Sequence, residues 1–218
     1  MPSPYSHAAP RLVASGLGKR FGRRVLFRDL AFEVGPGDGL AIRGANGAGK
    51  STLLQIIAGV QAPSAGEVRL TLGGAEVERQ ERPLRVGFVA PYLNLYDAFS
   101  AEENLGFLAR ARRLPGADAR IAAALERVGL GARGGDFVRT YSSGMRQRLR
   151  LAAALLAAPA VLLLDEPTSN LDEAGRAVVA AVAAEHRAAG GVLVVATNDE
   201  REAAFCDAAV EIGGEGTS

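Results

Sequence analysis

The feature that most constrains this chain is a glycine-spaced segment that ends in a lysine and two hydroxyl residues. It consists of Gly44, Ala45, Asn46, Gly47, Ala48, Gly49, Lys50, Ser51 and Thr52. An apolar run precedes the segment and a helical pattern follows it. Glycines let backbone N–H groups converge on phosphate oxygens without an intervening Cβ, and the positive end of the following helix faces the same anion. We therefore expect a phosphate-binding loop in which Lys50 holds the β and γ phosphates of a nucleotide and Ser51 is a Mg²⁺ ligand.

A second segment fits the same chemistry. Residues 161–164 form an apolar run that predicts a buried strand, and Asp165 and Glu166 follow it directly. On its own, such a carboxylate pair is more typical of a solvated turn. Beside a phosphate loop, it predicts that Asp165 holds the Mg²⁺ shell and that the catalytic Glu166 faces the attacking water.

Short apolar runs bounded by glycine or proline predict three more buried strands, at residues 40–43, 85–89 and 192–196. Helical patterns separate these runs, including one at residues 172–189. The alternation predicts an α/β fold with a mostly parallel core sheet.

Helical patterns follow one another between residues 99 and 155. Ser100 can cap the first helix while Glu103 reaches back to it as a capping box, and Gly129 stands where a helix needs a left-handed residue after its end. We expect this region to be a helical insert within one domain of residues 11–212. Flexible tails are expected at residues 1–10 and 213–218.

The composition restricts the class of protein and the cellular compartment that fit this chain. The chain has 218 residues, of which 48% are hydrophobic and 22% charged, and its net charge is +1. These values predict one globular domain without a broad attraction to nucleic acid or to anionic lipid. The sequence contains no apolar run of the roughly 20 residues that a membrane span needs, so a membrane role requires a partner. One cysteine and no signal-peptide pattern favour a reducing, cytoplasmic setting.

A third segment, which lies between the phosphate loop and the run 161–166 in the sequence, also has groups that suit an anion. It consists of Tyr141, Ser142, Ser143, Gly144, Met145, Arg146 and Gln147. Hydroxyl and amide groups at a helix N-terminus suit an anion, although a plain helix cap is the alternative. With the phosphate loop, the strand ending at Asp165 and Glu166, and the run 169–172, it resembles the ATP-binding cassette (ABC) transporter ATPases. The resemblance covers residues 11–212.

That resemblance implies a P-loop NTPase fold with an N-terminal antiparallel β subdomain, with ATP and Mg²⁺ as ligands. It implies a homodimer in which Ser142, Ser143 and Gly144 of one subunit close over ATP held by the other. It also implies an integral membrane transporter subunit as partner, a cytoplasmic position on the inner face of the cell membrane, and no nucleic acid. Phe21 stands where the family stacks a ring on adenine, although a buried core phenylalanine is equally consistent with the sequence.

Ser143 and Met145 replace the family's usual glycine and glutamine in the third segment, and two further departures matter more for hydrolysis. Pro91 replaces a glutamine that helps to coordinate Mg²⁺, and Tyr92, Asn94 or a water molecule are candidate substitutes. Asn198 replaces the switch histidine; an asparagine can donate a hydrogen bond to a γ-phosphate but cannot carry a positive charge. Losing one such donor commonly costs on the order of 10²-fold in rate, so we expect slow hydrolysis.

The resemblance leaves alternatives open. The compact single cassette resembles the haem-exporter ATPases of cytochrome c maturation. Because Pro91 and Asn198 depart from the pattern, a nucleotide-responsive regulatory module with little hydrolysis is the main alternative. A DNA-repair or translation protein is disfavoured, because roughly fifty residues between Pro91 and Ser142 are too few for a long coiled-coil arm. Residues 91–100 are unusually apolar for a loop, which fits either a partner interface or local packing.

Overall fold

The computed structural model describes residues 9–91 and 94–213. The strands are β1 (Pro10–Phe21), β2 (Arg24–Val34), β3 (Gly39–Arg43), β4 (Ala65–Leu72), β5 (Ala75–Glu76), β6 (Val86–Val89), β7 (Val161–Asp165), β8 (Val192–Ala196) and β9 (Ala208–Glu211). The α-helices are α1 (Lys50–Ile57), α2 (Arg82–Arg85), α3 (Ala101–Ala111), α4 (Ala117–Arg127), α5 (Ser143–Leu155), α6 (Glu173–Ala188) and α7 (Glu200–Ala203).

A five-stranded parallel sheet with the order β6-β7-β8-β3-β9 forms the centre of the fold. Every residue of β7 and β8 is buried, as expected for strands covered on both faces. The predicted α/β class and all four predicted core strands are confirmed, with ends that differ by at most one residue. Because β3, β7 and β8 are neighbours and run the same way, the residues after their carboxyl ends meet at one edge of the sheet.

The apolar side chains of β7 alternate between two cores. Leu162 and Leu164 belong to a cluster that includes side chains of α3, α4, α5 and α6. Val161 and Leu163 belong to a second cluster, with α1 and the N-terminal strands. Because side chains alternate between the two faces of a strand, one uniformly apolar run packs against layers on both sides of the sheet.

A second, antiparallel sheet has the order β2-β1-β4-β5, and its buried side chains share an apolar cluster with α1 and the parallel sheet. It confirms the N-terminal antiparallel β subdomain. β1 and β2 are joined by a tight turn in which Gly22 has a φ of 56°. This turn sets the ends of the two strands, Phe21 and Arg24, beside the phosphate loop.

The region between β6 and β7 is helical, as predicted. At its start the Ser100 Oγ accepts a hydrogen bond from the Glu103 N–H at 3.1 Å, and Glu103 Oε2 accepts one from the Ser100 N–H at 2.7 Å. The capping box is therefore present, and Gly129 has the expected left-handed φ of 68°. Among residues 9–91 and 94–213, none of the helices is both long enough and apolar enough to cross a membrane.

Candidate functional site

The segment between β3 and α1 forms an open loop of left-handed glycines. Gly44, Gly47 and Gly49 have φ angles of 145°, 80° and 106°. A Cβ at Gly44 would lie 2.2 Å from the Ile212 carbonyl oxygen, so this position cannot accept a larger residue without a backbone shift. The buried Lys50 opens α1 and donates from Nζ to the Gly44 carbonyl oxygen at 2.7 Å. The loop thus presents backbone amides, a helix N-terminus and an ammonium group together.

The loop forms one wall of a cavity of about 480 Å³. The lining residues are Phe21, Arg24, Leu26, Asn46, Gly47, Gly49, Lys50, Ser51, Thr52 and Glu166. The cavity therefore brings together side chains of the antiparallel sheet, the phosphate loop and the end of β7. We call it the phosphate-loop cavity.

Asp165 lies at the carboxyl end of β7 and is 3% exposed. Burial raises the pKa of its carboxyl group, while a hydrogen bond from the Ser51 hydroxyl and the charge of Lys50 oppose that rise. The Ser51 and Asp165 side chains are thus in direct contact. A hydroxyl and a carboxylate are oxygen ligands of the kind that Mg²⁺ prefers, so this pair fits the predicted metal site.

Glu166 follows on the exposed side of the same strand end and lines the phosphate-loop cavity. Its backbone adopts a left-handed φ of 46°, which is uncommon for a residue with a side chain. Its N–H donates to the Ala196 carbonyl oxygen on β8 at 2.9 Å. Strand pairing therefore continues for one residue beyond Asp165, and the turn at Glu166 directs the chain out of the sheet.

Asn198 lies just beyond the end of β8 and contacts the phosphate loop. Its Nδ2 donates to the Asn46 Oδ1 at 3.0 Å. Asn46 lines the phosphate-loop cavity. Asn198, which stands where the family has its switch histidine, is therefore connected to the cavity through this hydrogen bond.

Phe21 is 51% exposed, which contradicts the alternative that it is a buried core residue. The turn between β1 and β2 holds its ring at the rim of the phosphate-loop cavity. The Lys19 Nζ lies 4.9 Å from the ring centroid on this exposed strand end. A half-exposed ring beside a phosphate loop is available for stacking on a planar base.

Ser142 is the N-cap of α5, and its Oγ accepts a hydrogen bond from the Met145 N–H at 3.2 Å. The plain helix cap is thus present, and it leaves the hydroxyl exposed. Ser142, Ser143 and Gly144 are not among the described residues that line the phosphate-loop cavity. Within one copy of the chain, the two predicted anion-binding segments do not form a common cavity.

Tyr92 and Asn94 are the two side chains that could replace the glutamine missing at Pro91. Tyr92 lies outside the described residues. Asn94 lines a separate apolar cavity of about 300 Å³ with Leu95 and Leu108, and it is not among the described residues of the phosphate-loop cavity. The structure therefore gives no support to Asn94 as a Mg²⁺ partner.

Two further residues, Arg24 and Leu26, line the cavity although no sequence pattern predicts them. Arg24 donates from Nη2 to the Gly47 carbonyl oxygen at 3.1 Å and lines the cavity. Leu26 packs so close to the loop that a Cβ at Gly49 would lie 3.1 Å from its Cδ1. Both residues belong to β2 and reach the loop through the packing of one sheet on another, for which the local sequence carries no signal.

Comparisons with known proteins identify the family of the chain. The profile of the ABC transporter family matches residues 27–169. The lipoprotein-releasing system ATP-binding protein LolD of Oleidesulfovibrio alaskensis is 38% identical over 196 residues, which cover 86% of this chain and 85% of that protein. The cytochrome c biogenesis ATP-binding export protein CcmA of Pseudomonas putida is 40% identical over 174 residues, which cover 78% and 80%.

Solved structures show the same architecture. The structure of an ATP-binding subunit of an ABC transporter superposes with a TM-score of 0.79 at 26% identity, over 92% of this chain and 85% of that one. Several other relatives are longer, and this chain spans about half of their length. Since both the family profile and the relatives match over most of the sequence, this chain belongs to the ABC transporter family and carries its ATPase domain.

Proposed function

We propose that this chain is the ATP-binding and ATP-hydrolysing subunit of an ABC transporter, which drives a separate membrane subunit through MgATP-dependent closure of a homodimer. One observation carries the proposal: the contact between Ser51 and the buried Asp165 lies beside Glu166, at the phosphate loop. The anion cradle, the proposed metal ligand Ser51 and the candidate catalytic carboxylate thus line one cavity, and the second proposed ligand, Asp165, is the partner of Ser51.

Each group has a separate task in this proposal. The amides around Gly47 and Gly49 and the Lys50 ammonium hold the triphosphate. Ser51 and Asp165 would hold Mg²⁺, which neutralises charge on the β and γ phosphate oxygens. Glu166 orients the attacking water and accepts its proton. Phe21 stacks on adenine.

The second half of each site comes from a second copy. Ser142, Ser143 and Gly144 lie on a helix N-terminus outside the phosphate-loop cavity, as a composite site would require. The amides at the start of α5 would face the γ-phosphate that the other subunit holds. ATP binding would therefore join the two copies, and cleavage of the γ-phosphate would release them.

An exposed aromatic group marks the proposed surface for the membrane subunit. Tyr96, Phe99 and Phe107 are between 42% and 54% exposed, and their ring centroids lie 5.4 Å (Tyr96 to Phe99) and 5.7 Å (Tyr96 to Phe107) apart. The apolar 300 Å³ cavity includes Leu95 of the same loop. Exposure of the aromatic rings favours an interface over local packing at these positions. A cytoplasmic segment of a membrane subunit would cover them and hold the chain at the inner face of the membrane.

The transporter subtype is a finer proposal. The similarity to CcmA supports an exporter of the cytochrome c biogenesis type, whereas LolD matches over a longer part of the chain. Co-purification of the membrane subunit from the native host tests the subtype. Recovery of a lipoprotein-release partner would overturn the cytochrome c assignment.

The hydrolytic role is tested by Glu166→Gln, which keeps the shape of the side chain but removes its basicity. We expect phosphate release to fall by about 10²-fold or more while MgATP binding remains. Glu173→Gln, at an exposed position at the start of α6, is the matched control and should hydrolyse as wild type does. Equal phosphate release by wild type and Glu166→Gln would instead favour the regulatory module with little hydrolysis.

A further inference from the structure

A buried carboxylate outside the proposed chemistry holds the turn that carries Glu166. It belongs to Glu202 on α7, which is 3% exposed. Its Oε1 accepts hydrogen bonds from the Thr168 N–H at 2.7 Å and from the Thr168 Oγ1 at 2.5 Å. Thr168 is buried as well, so both donors are directed to one carboxylate oxygen inside the protein.

The segment that Glu202 holds has an unusual backbone. Glu166 and Asn170 have φ angles of 46° and 63°, in the left-handed region that residues with side chains rarely adopt. Such conformations persist where the surroundings fix them. Here Thr168 is fixed by Glu202, and the adjoining Pro167 carbonyl oxygen accepts a hydrogen bond from Gln147 Nε2 on α5 at 3.1 Å.

The helix that carries Glu202 begins next to the phosphate loop. Asp199 is the N-cap of α7, its Oδ1 accepting from the Arg201 N–H at 2.8 Å, and it directly follows Asn198. Asn198 in turn contacts Asn46 of the phosphate loop. The segment 198–202 thus contacts the phosphate loop through Asn198 and the turn after Glu166 through Glu202.

We propose that Glu202 is a positioning residue for hydrolysis: through Thr168 it fixes the backbone turn at Glu166, so that the Glu166 carboxylate faces the phosphate-loop cavity. This inference rests on the proposed ATPase function. A carboxylate suits the task because it accepts hydrogen bonds without carrying donors of its own, whereas an amide would bring two N–H donors into a buried position.

The kinetic test compares Thr168→Val, which removes the hydroxyl donor, with Thr168→Ser, which keeps it. We expect Thr168→Val and Glu202→Gln to lower kcat about fivefold or more, while KM for MgATP stays within about twofold. Thr168→Ser should retain kcat close to wild type. The matched control is Glu200→Gln, the same chemical change at an exposed position of α7, and it should leave kcat unchanged. The proposal is overturned if kcat is unchanged in Thr168→Val and Glu202→Gln. It is also overturned if Thr168→Ser loses as much kcat as Thr168→Val does.

Hydrogen–deuterium exchange separates this proposal from the ATPase function itself. In the nucleotide-free protein, the amides of Glu166 and of residues 168–170 should exchange faster in Thr168→Val and Glu202→Gln than in wild type or Glu200→Gln. Exchange that is unchanged in these variants contradicts the positioning role, whatever the hydrolysis rate. If wild type releases no phosphate, the proposed function fails, and faster exchange in the variants still shows that Glu202 holds the turn.

Discussion

At the scale of single residues, the site combines groups from three neighbouring strand ends. Lys50 and Ser51 follow β3, Asp165 ends β7, and Asn198 comes after β8. Parallel strands place these residues at one edge of the sheet although they are far apart in the sequence. This arrangement buries the Asp165 carboxyl group, and burial raises its pKa because it disfavours the charged form. A bound cation would stabilise that charged form.

The first residue-scale prediction concerns Asn198. We expect Asn198→His to release phosphate about tenfold faster than wild type or more, because a protonated imidazole stabilises developing phosphate charge better than a neutral amide. Asn198→Ala should be slower than wild type, since it removes both the donor and the contact with Asn46. Steady-state phosphate release of the three proteins checks this order. A wild-type rate that already equals that of Asn198→His would show that the substitution is compensated.

Site residues that lie in short, contiguous sequence patterns could be predicted from the sequence. The phosphate loop and the pair Asp165 and Glu166 are short, contiguous patterns whose chemistry follows from residue type and spacing. Arg24 and Glu202 could not be predicted in this way, because their roles depend on contacts with residues 23 and 34 positions away. Such contacts depend on how the layers of the fold pack against one another.

At the scale of elements, the core strands were predictable and the N-terminal strands were predicted from the family resemblance alone. β3, β7 and β8 are short apolar runs because both of their faces are covered. β1 and β2 have exposed positions, and their pairing shifts register at Ala14, Leu17 and Lys19. These irregularities interrupt the alternation that would reveal a strand.

The element-scale prediction concerns the start of α3. Ser100→Ala removes the side-chain acceptor of the capping box, so we expect it to lower the free energy of unfolding by about 1 kcal/mol. Thermal unfolding should show a decrease in Tm of about 2–4 °C. Ser15→Ala, at an exposed position of β1, is the control and should change Tm by less. Equal Tm values for Ser100→Ala and wild type would show that the cap adds nothing to stability.

At the scale of the whole molecule, Ser142, Ser143 and Gly144 lie outside the phosphate-loop cavity of the same copy of the chain. We expect Glu166→Gln with MgATP to form a dimer of twice the 22.6 kDa of one chain. Gly144→Asp should abolish this dimer, because it places a negative charge where the partner's γ-phosphate is proposed to lie. Sedimentation velocity with and without MgATP measures both effects.

The control for this experiment is the fold of the Gly144→Asp variant. A Cβ at Gly144 would lie 3.4 Å from Leu171 Cδ2, an ordinary contact, so the monomer should keep its Tm. A Glu166→Gln protein that stays monomeric with MgATP, or a Gly144→Asp variant that still forms the dimer, would contradict the composite site.

Binding of MgATP by isothermal titration calorimetry tests the central claim most directly, because every other step depends on the grip of the phosphate loop. Wild type should bind MgATP, and Lys50→Ala should bind it about tenfold or more weakly, since it removes a charge-assisted contact to phosphate. Circular dichroism should confirm that the variant is folded. No binding by wild type, or equal affinity in the two proteins, would contradict the account.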